Sequence, residues 1–149
     1  MTQDDSTRPL GVRPDVSLTP EQARTLQALE RYDLSPVRQR LLRDGTLPEA
    51  WLDEALVEFR RYLGLRALAD GPLIMFSDHI DHVWHTCIIF TRLYADLCQQ
   101  AFGTFVHHEP TMEDDPDRHR KIEAVQELYQ AIYGPMSYVW GTGHNRGCA

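Results

Sequence analysis

The chain has 149 residues, of which 42% are apolar, and a formal net charge of −7 at neutral pH. This length and apolar content predict one domain around one core. The negative charge and the lack of a basic stripe argue against a nucleic-acid partner. No run of about 18 apolar residues is present, so we expect no membrane span.

The N-terminus and the cysteines indicate a cellular compartment. The first residues contain no apolar segment of the kind found in secretory signals, so we expect a cytoplasmic protein. Cys87, Cys98 and Cys148 are too few and too unevenly spaced for a disulfide framework. We therefore expect Cys87 and Cys98 to be buried thiols.

The first half of the chain predicts a flexible arm followed by three helices. Residues 1–18 combine charge, proline and glycine without periodicity, which is typical of a flexible arm. A helix follows over about 19–32, with Thr-Pro-Glu as its start signal. A short helix is predicted from Ser35 to Gly45, and a longer one with a broad apolar stripe over about 46–68.

The second half predicts two further helices. Residues 70–76 are expected to form a buried loop, and 77–101 one continuous helix that stops at Gly103. A loop over 104–110 precedes the last helix, which starts at 114–117 and ends near Tyr133. We predict an all-α, single-domain bundle of about five helices over residues 19–135, with a loose, glycine-containing tail over 136–149.

The stretch 77–110 carries most of the chemistry, because it contains five of the seven histidines. At 100° per residue, a polar face of Asp78, Asp81, His82 and His85 opposes an apolar face that includes Trp84 and Tyr94. The simplest interpretation is a core helix with one solvated face. Against it, isoleucines stand beside the polar face, and lysine is absent from this stretch.

Two carboxylate–imidazole pairs lie one helical turn apart, Asp81 with His85 and Asp78 with His82. Such a pair can chelate a divalent ion, or the carboxylate can orient the imidazole. His107 and His108 follow the helix stop, so the chain can return one of them to the helix as a third ligand. Adjacent residues point in different directions, which allows at most one of the two to do so, and we favour His108.

One carboxylate and two imidazoles form a ligand set suited to Fe(II) or Zn(II), with water completing the shell. We therefore predict a metal-dependent enzyme acting on a small molecule, with His82 or Asp78 as a nearby acid–base group or fourth ligand. The alternative is a non-catalytic interaction module in which these residues form a structural hydrogen-bond network. A third interpretation is a metal that only stabilises the fold.

The motif Asp81-x-x-Trp84-His85, followed by His107-His108-x-Pro110, resembles the glycine-rich domain-containing protein-like family. The resemblance covers roughly residues 54–133. It implies which residues matter rather than which reaction they perform.

One departure from that family's pattern affects the ligand set. Many members have W-H-x-H, whereas this chain has Cys87 at the position of the second histidine. Cys87 points about 160° away from His85 around a helix. This favours Asp81, His85 and the His107/His108 pair as ligands. The glycines of the C-terminal tail are similar to a short remnant of the family's glycine-rich tail.

Overall fold

The structure, a computed structural model, describes residues 8–110 and 114–141. Its six α-helices are α1 (Pro20–Arg31), α2 (Ser35–Asp44), α3 (Leu52–Leu68), α4 (Asp78–Ile89), α5 (Thr91–Phe102) and α6 (Arg118–Tyr133). Short 3-10 turns lie at Pro9–Gly11, Glu49–Trp51 and Tyr138–Trp140. The described residues contain no strand, which confirms the all-α prediction.

Local signals in the sequence set the ends of the first two helices. The Thr19 hydroxyl accepts a hydrogen bond from the backbone N–H of Gln22, whose side chain accepts one from the Thr19 N–H, so α1 begins with a complete capping box. Gly45 ends α2 in the left-handed conformation, with φ of 66°. α3 begins a few residues later than predicted, because Glu49–Trp51 forms a 3-10 turn.

Helix α3 is the centre of the domain and packs against α1, α2, α4 and α6. Phe59, Tyr62 and Leu63 are buried on it, as expected from the apolar stripe. Gly64 allows the close approach of its neighbours, because a Cβ there would lie 2.6 Å from Leu26 and 2.7 Å from the Tyr133 hydroxyl. None of the described helices combines the length and apolar character needed to cross a membrane.

The prediction of one continuous helix over 77–101 is wrong. The chain leaves helical geometry at Phe90, where φ is −80° and ψ is 74°, and this break separates α4 from α5. Ile88, Ile89 and Thr91 flank the break, and β-branched residues lose side-chain freedom in a helix. The break lets α4 pack against α3 while α5 packs against α1, so burial of two helices outweighs continuation of one.

Packing extends beyond residues 19–135 at both ends. Leu10 and Val12 are buried, and the backbone N–H of Arg13 donates to the Ile132 carbonyl at 2.8 Å. Val139 and Trp140 are also buried. Residues 1–7 of the predicted arm and 142–149 of the predicted tail lie outside the described residues, as do 111–113.

Candidate metal centre

Helix α4 presents Asp81 and His85 on one side because its start is fixed. The buried Ser77 hydroxyl accepts from the Ile80 backbone N–H at 3.3 Å and caps the helix. The side chains of Asp81 and His85 are 32% and 55% exposed, while the opposite face, which includes Trp84, is buried. The polar and apolar faces of α4 therefore lie as the periodicity predicts.

Exposure of Ile89 weakens one argument drawn from the sequence. Its side chain is 62% exposed at the end of α4. An isoleucine beside the polar face therefore does not show that this face is buried. The case for a site depends instead on what the loop after α5 brings to α4.

A buried hydrogen-bond chain holds that loop. The Trp84 indole N–H donates to the Tyr94 hydroxyl at 3.0 Å, and this hydroxyl donates to the Val106 carbonyl at 2.5 Å. Burial raises the pKa of Tyr94 far above its ordinary value, so its hydroxyl stays protonated and can donate. These two hydrogen bonds hold the backbone at Val106, two residues before His108.

This anchored loop places the His108 ring against α4. Its centroid is 4.3 Å from that of the Trp84 ring in an edge-to-face arrangement, and its side chain is only 12% exposed. The same tryptophan thus anchors the loop through its N–H and contacts the imidazole through its ring. Trp84 and Tyr94 lie in the core, as expected, and together they also position His108.

Asp81, His85 and His108, named here the Asp/His triad, each place one possible ligand atom within 4.8 Å of the other two. The His108 Nε2 lies 2.6 Å from Asp81 Oδ1 and 3.1 Å from His85 Nε2. The His85 Nε2 lies 3.5 Å from Asp81 Oδ2. These four atoms, two imidazole nitrogens and two carboxylate oxygens, are of the types that bind cations in proteins.

Either hydrogen bonds or a cation can hold the triad together, and the choice depends on where the imidazole protons lie. A neutral imidazole has one N–H, and if His108 Nε2 donates its proton to Asp81, it has no lone pair for a proton on His85. A divalent cation accepts all three lone pairs at once. Metal–ligand bonds of about 2.0–2.2 Å place neighbouring ligands about 3.0–3.5 Å apart. The separation of 3.1 Å between the two Nε2 atoms falls in this range, as does the 3.5 Å from His85 Nε2 to Asp81 Oδ2. The contact of His108 Nε2 with the other oxygen, Asp81 Oδ1, has to lengthen by about half an ångström.

A cavity of about 260 Å³ opens onto the triad. Its wall also includes acidic, basic and apolar side chains from the α4 start, the 104–110 loop and the α6 start: Met75, Phe76, Asp78, Glu109, Pro110 and Arg118. Such a volume is just below the range of about 300–1,000 Å³ for pockets that enclose drug-sized ligands. The cavity therefore suits a small molecule.

The remaining predicted site residues do not join the triad. His107 is exposed and its ring contacts Phe105, with centroids 4.9 Å apart. His82 Nε2 is 2.5 Å from the Thr46 hydroxyl, which directs it toward the end of α2. Asp78 lines the cavity without belonging to the triad.

Sequence reasoning missed Glu109 and Arg118 as residues of the cavity wall. Glu109 stands beside the recognised histidine pair, so its position was a usable signal. Arg118 opens α6, and no pattern in the sequence links it to α4, because only the packing of the domain brings the two helices to one cavity.

Fold and site together define a small all-helical protein with a three-residue group able to hold a metal ion. The chain belongs to the UCP032817-like family, whose model matches residues 24–131. This match includes the whole triad, but the family is uncharacterised and lends the site no activity. No curated protein and no solved structure matches the chain. The resemblance to the glycine-rich domain-containing protein-like family stays a prediction.

Proposed function

We propose that the Asp/His triad holds a divalent metal ion, Fe(II) or Zn(II), and that the protein is a metal-dependent enzyme acting on a small molecule. The observation that carries this proposal is the convergence of two imidazole nitrogens and one carboxylate at 2.6–3.5 Å. Three protein ligands leave coordination positions for water and substrate, as in catalytic rather than structural sites.

The cavity supports an enzyme over a purely structural ion. A structural zinc site is closed by four protein ligands, whereas the triad borders a space of about 260 Å³. When bound, the ion supplies Lewis acidity or an activated water. Asp78 also lines this space and is the group we propose for proton transfer. His82 is bound to Thr46 and is the weaker candidate for that role.

One observation favours the alternative of a non-catalytic interaction module. The Asp81–His108 separation of 2.6 Å is that of a strong hydrogen bond, which by itself ties the loop to α4. In that case the triad is a structural network, and removing either partner destabilises the fold. The third interpretation, a metal that only stabilises the fold, predicts unfolding when the metal is removed.

Metal content measured on protein purified without added metal separates these functions. We expect about one ion per chain, lost in His108→Ala and retained in His107→Ala, which changes the neighbouring exposed histidine. Circular dichroism after chelation provides the second readout. A fold that persists without its ion supports an enzyme, a fold lost on chelation supports a structural metal, and a metal-free wild-type protein contradicts the proposal.

We also propose that the protein acts in the cytoplasm. Cys87 and Cys98 are free and buried, and burial raises the pKa of the Cys87 thiol to about 12. Unpaired thiols of this kind suit a reducing compartment. We propose a small-molecule substrate and neither a nucleic-acid nor a membrane partner, in keeping with the net charge of −7.

A further inference from the structure

The cavity wall carries one strongly basic side chain. Of the described residues that line it, only Arg118 is a lysine or arginine. Its side chain is half-buried at the first position of α6. The positive end of the α6 dipole lies in this first turn, so helix and side chain both favour negative charge there. Arg118 already acts electrostatically on one carboxylate outside the cavity wall, that of Asp115.

Charge balance limits which anion the cavity accepts. Asp78, Asp81 and Glu109 contribute three negative charges to the wall, and Arg118 contributes one positive charge. A divalent ion on the triad brings the sum to zero when the histidines are neutral. Any anion in the cavity lies near Asp78 and Glu109, which bind no metal, and their repulsion of a monoanion is about half that of a phosphate dianion.

The shape of the Arg118 guanidinium favours a carboxylate as the singly charged ligand. Its planar fork matches both oxygens of a carboxylate, and a partly desolvated arginine holds such a group more firmly than an exposed one. The apolar part of the wall, from Met75, Phe76 and Pro110, can cover a short carbon chain.

We propose that Arg118 binds the carboxylate of a small monocarboxylic acid, which the cavity holds next to the metal centre. This inference rests on the proposed function, because it takes the occupied triad as the reactive end of the cavity. The anion site is a property of residues absent from the recognised motif. It names a substrate class that the triad alone does not define.

Calorimetric titration of zinc-loaded protein tests the proposal with acetate, propionate and butyrate, alongside phosphate and neutral acetamide as probes. We expect at least one carboxylate to bind the wild-type protein about tenfold or more tightly than Arg118→Gln. Arg118→Lys, which keeps the charge but loses the fork, should fall between the two. Arg120→Gln is the matched control, because Arg120 is exposed two positions further along α6 and is not among the wall residues.

The outcomes separate this inference from the proposed function. Equal carboxylate affinity in wild type and Arg118→Gln, both loaded with zinc, overturns the role of Arg118 and leaves the metal centre intact. Tighter binding of phosphate than of any carboxylate overturns the substrate class. A wild-type protein that takes up no zinc overturns the proposed function itself. Zinc stoichiometry is measured on every variant before titration.

Discussion

Glu58 and Asp81 are both carboxylates on helices of one domain, but their surroundings are opposite. Glu58 is fully buried in α3 and accepts hydrogen bonds from Tyr129 at 2.5 Å and from the Trp140 indole at 2.8 Å. Arg61 lies 3.0 Å from its other oxygen. These four residues, named the Glu58 cluster, surround one acceptor group with three donors.

The Asp/His triad reverses this balance. Its carboxylate is 32% exposed and meets two imidazole nitrogens, each of which offers either a proton or a lone pair. The Glu58 cluster is closed, because the Glu58 carboxylate already accepts a hydrogen bond from each of its three partners. The triad is open, because its carboxylate is partly exposed and a cavity lies beside it.

We infer from this difference that the number of donors around a carboxylate, rather than the carboxylate itself, separates a structural cluster from a candidate binding site. A buried acid surrounded by donors stabilises the fold and has no capacity left for a ligand. An acid surrounded by further lone pairs can stabilise a cation. Experiments on the two regions should therefore give opposite results for stability and for metal binding.

The largest expected effect is loss of the Glu58 carboxylate. Glu58→Ala leaves Arg61 and the Trp140 indole N–H without their buried acceptor, and we expect the free energy of unfolding to fall by about 3–5 kcal/mol. Urea unfolding in metal-free buffer measures it. Asp81→Ala is the control and should cost less than about 1 kcal/mol, because its site is partly solvated. Equal losses in the two variants would contradict the distinction between a closed and an open cluster.

The next effect is stabilisation by metal. At a free Zn²⁺ concentration of about 100 times Kd, we expect the free energy of unfolding of wild type to rise by about 2.7 kcal/mol, because the ion binds only the folded triad. Urea unfolding with and without zinc measures the change. His107→Ala should keep the effect and His108→Ala should lose it. The same rise in His108→Ala would place the zinc elsewhere in the protein.

Much of the fold could be predicted because it depends on local signals. The Thr19 cap, the glycine at position 45 and the apolar stripe of α3 act over one or two turns, and the helices appear where these signals place them. The break at Phe90 could not be predicted this way, because it depends on α4 and α5 packing against different helices. No glycine or proline marks it.

The two clusters also differ in how far they depend on local sequence signals. Asp81 and His85 are four residues apart, so helical spacing alone brings them together, and only the arrival of His108 required the fold. In the Glu58 cluster, Tyr129 lies 71 positions and Trp140 lies 82 positions after Glu58 in the sequence. No sequence pattern connects these residues. Sequence reasoning found the open cluster and missed the closed one for this physical reason.

A smaller effect tests how the triad is held together. Tyr94→Phe removes the hydroxyl that joins the Trp84 indole to the Val106 carbonyl, so the loop that carries His108 loses its anchor. We expect zinc affinity to fall about 10- to 100-fold, the usual effect of losing a group that orients a ligand. Competition with a chromophoric chelator measures the affinity.

The control for this change is Tyr32→Phe. The Tyr32 hydroxyl donates to Asp96 at 2.7 Å and also contacts the Leu93 carbonyl, away from the triad. We expect some loss of stability in this variant but unchanged zinc affinity. If both variants weaken zinc binding alike, the effect of Tyr94 comes from general loosening of the domain rather than from positioning of His108.

The smallest expected effect appears in alkali and concerns the closed cluster. Burial, reinforced by the hydrogen bond to Glu58, raises the pKa of Tyr129 well above its ordinary value of about 10. The unfolded chain therefore releases this proton first, so the stabilisation is complete below about pH 10 and declines as the pH rises further. Urea unfolding between pH 8 and 11 should show this decline in wild type and equally in His108→Ala.

Tyr129→Phe should be less stable throughout but decline less steeply, because the shifted group is gone and other buried tyrosines, such as Tyr133, remain. An unchanged slope in Tyr129→Phe would mean that the closed cluster does not control the response to alkali.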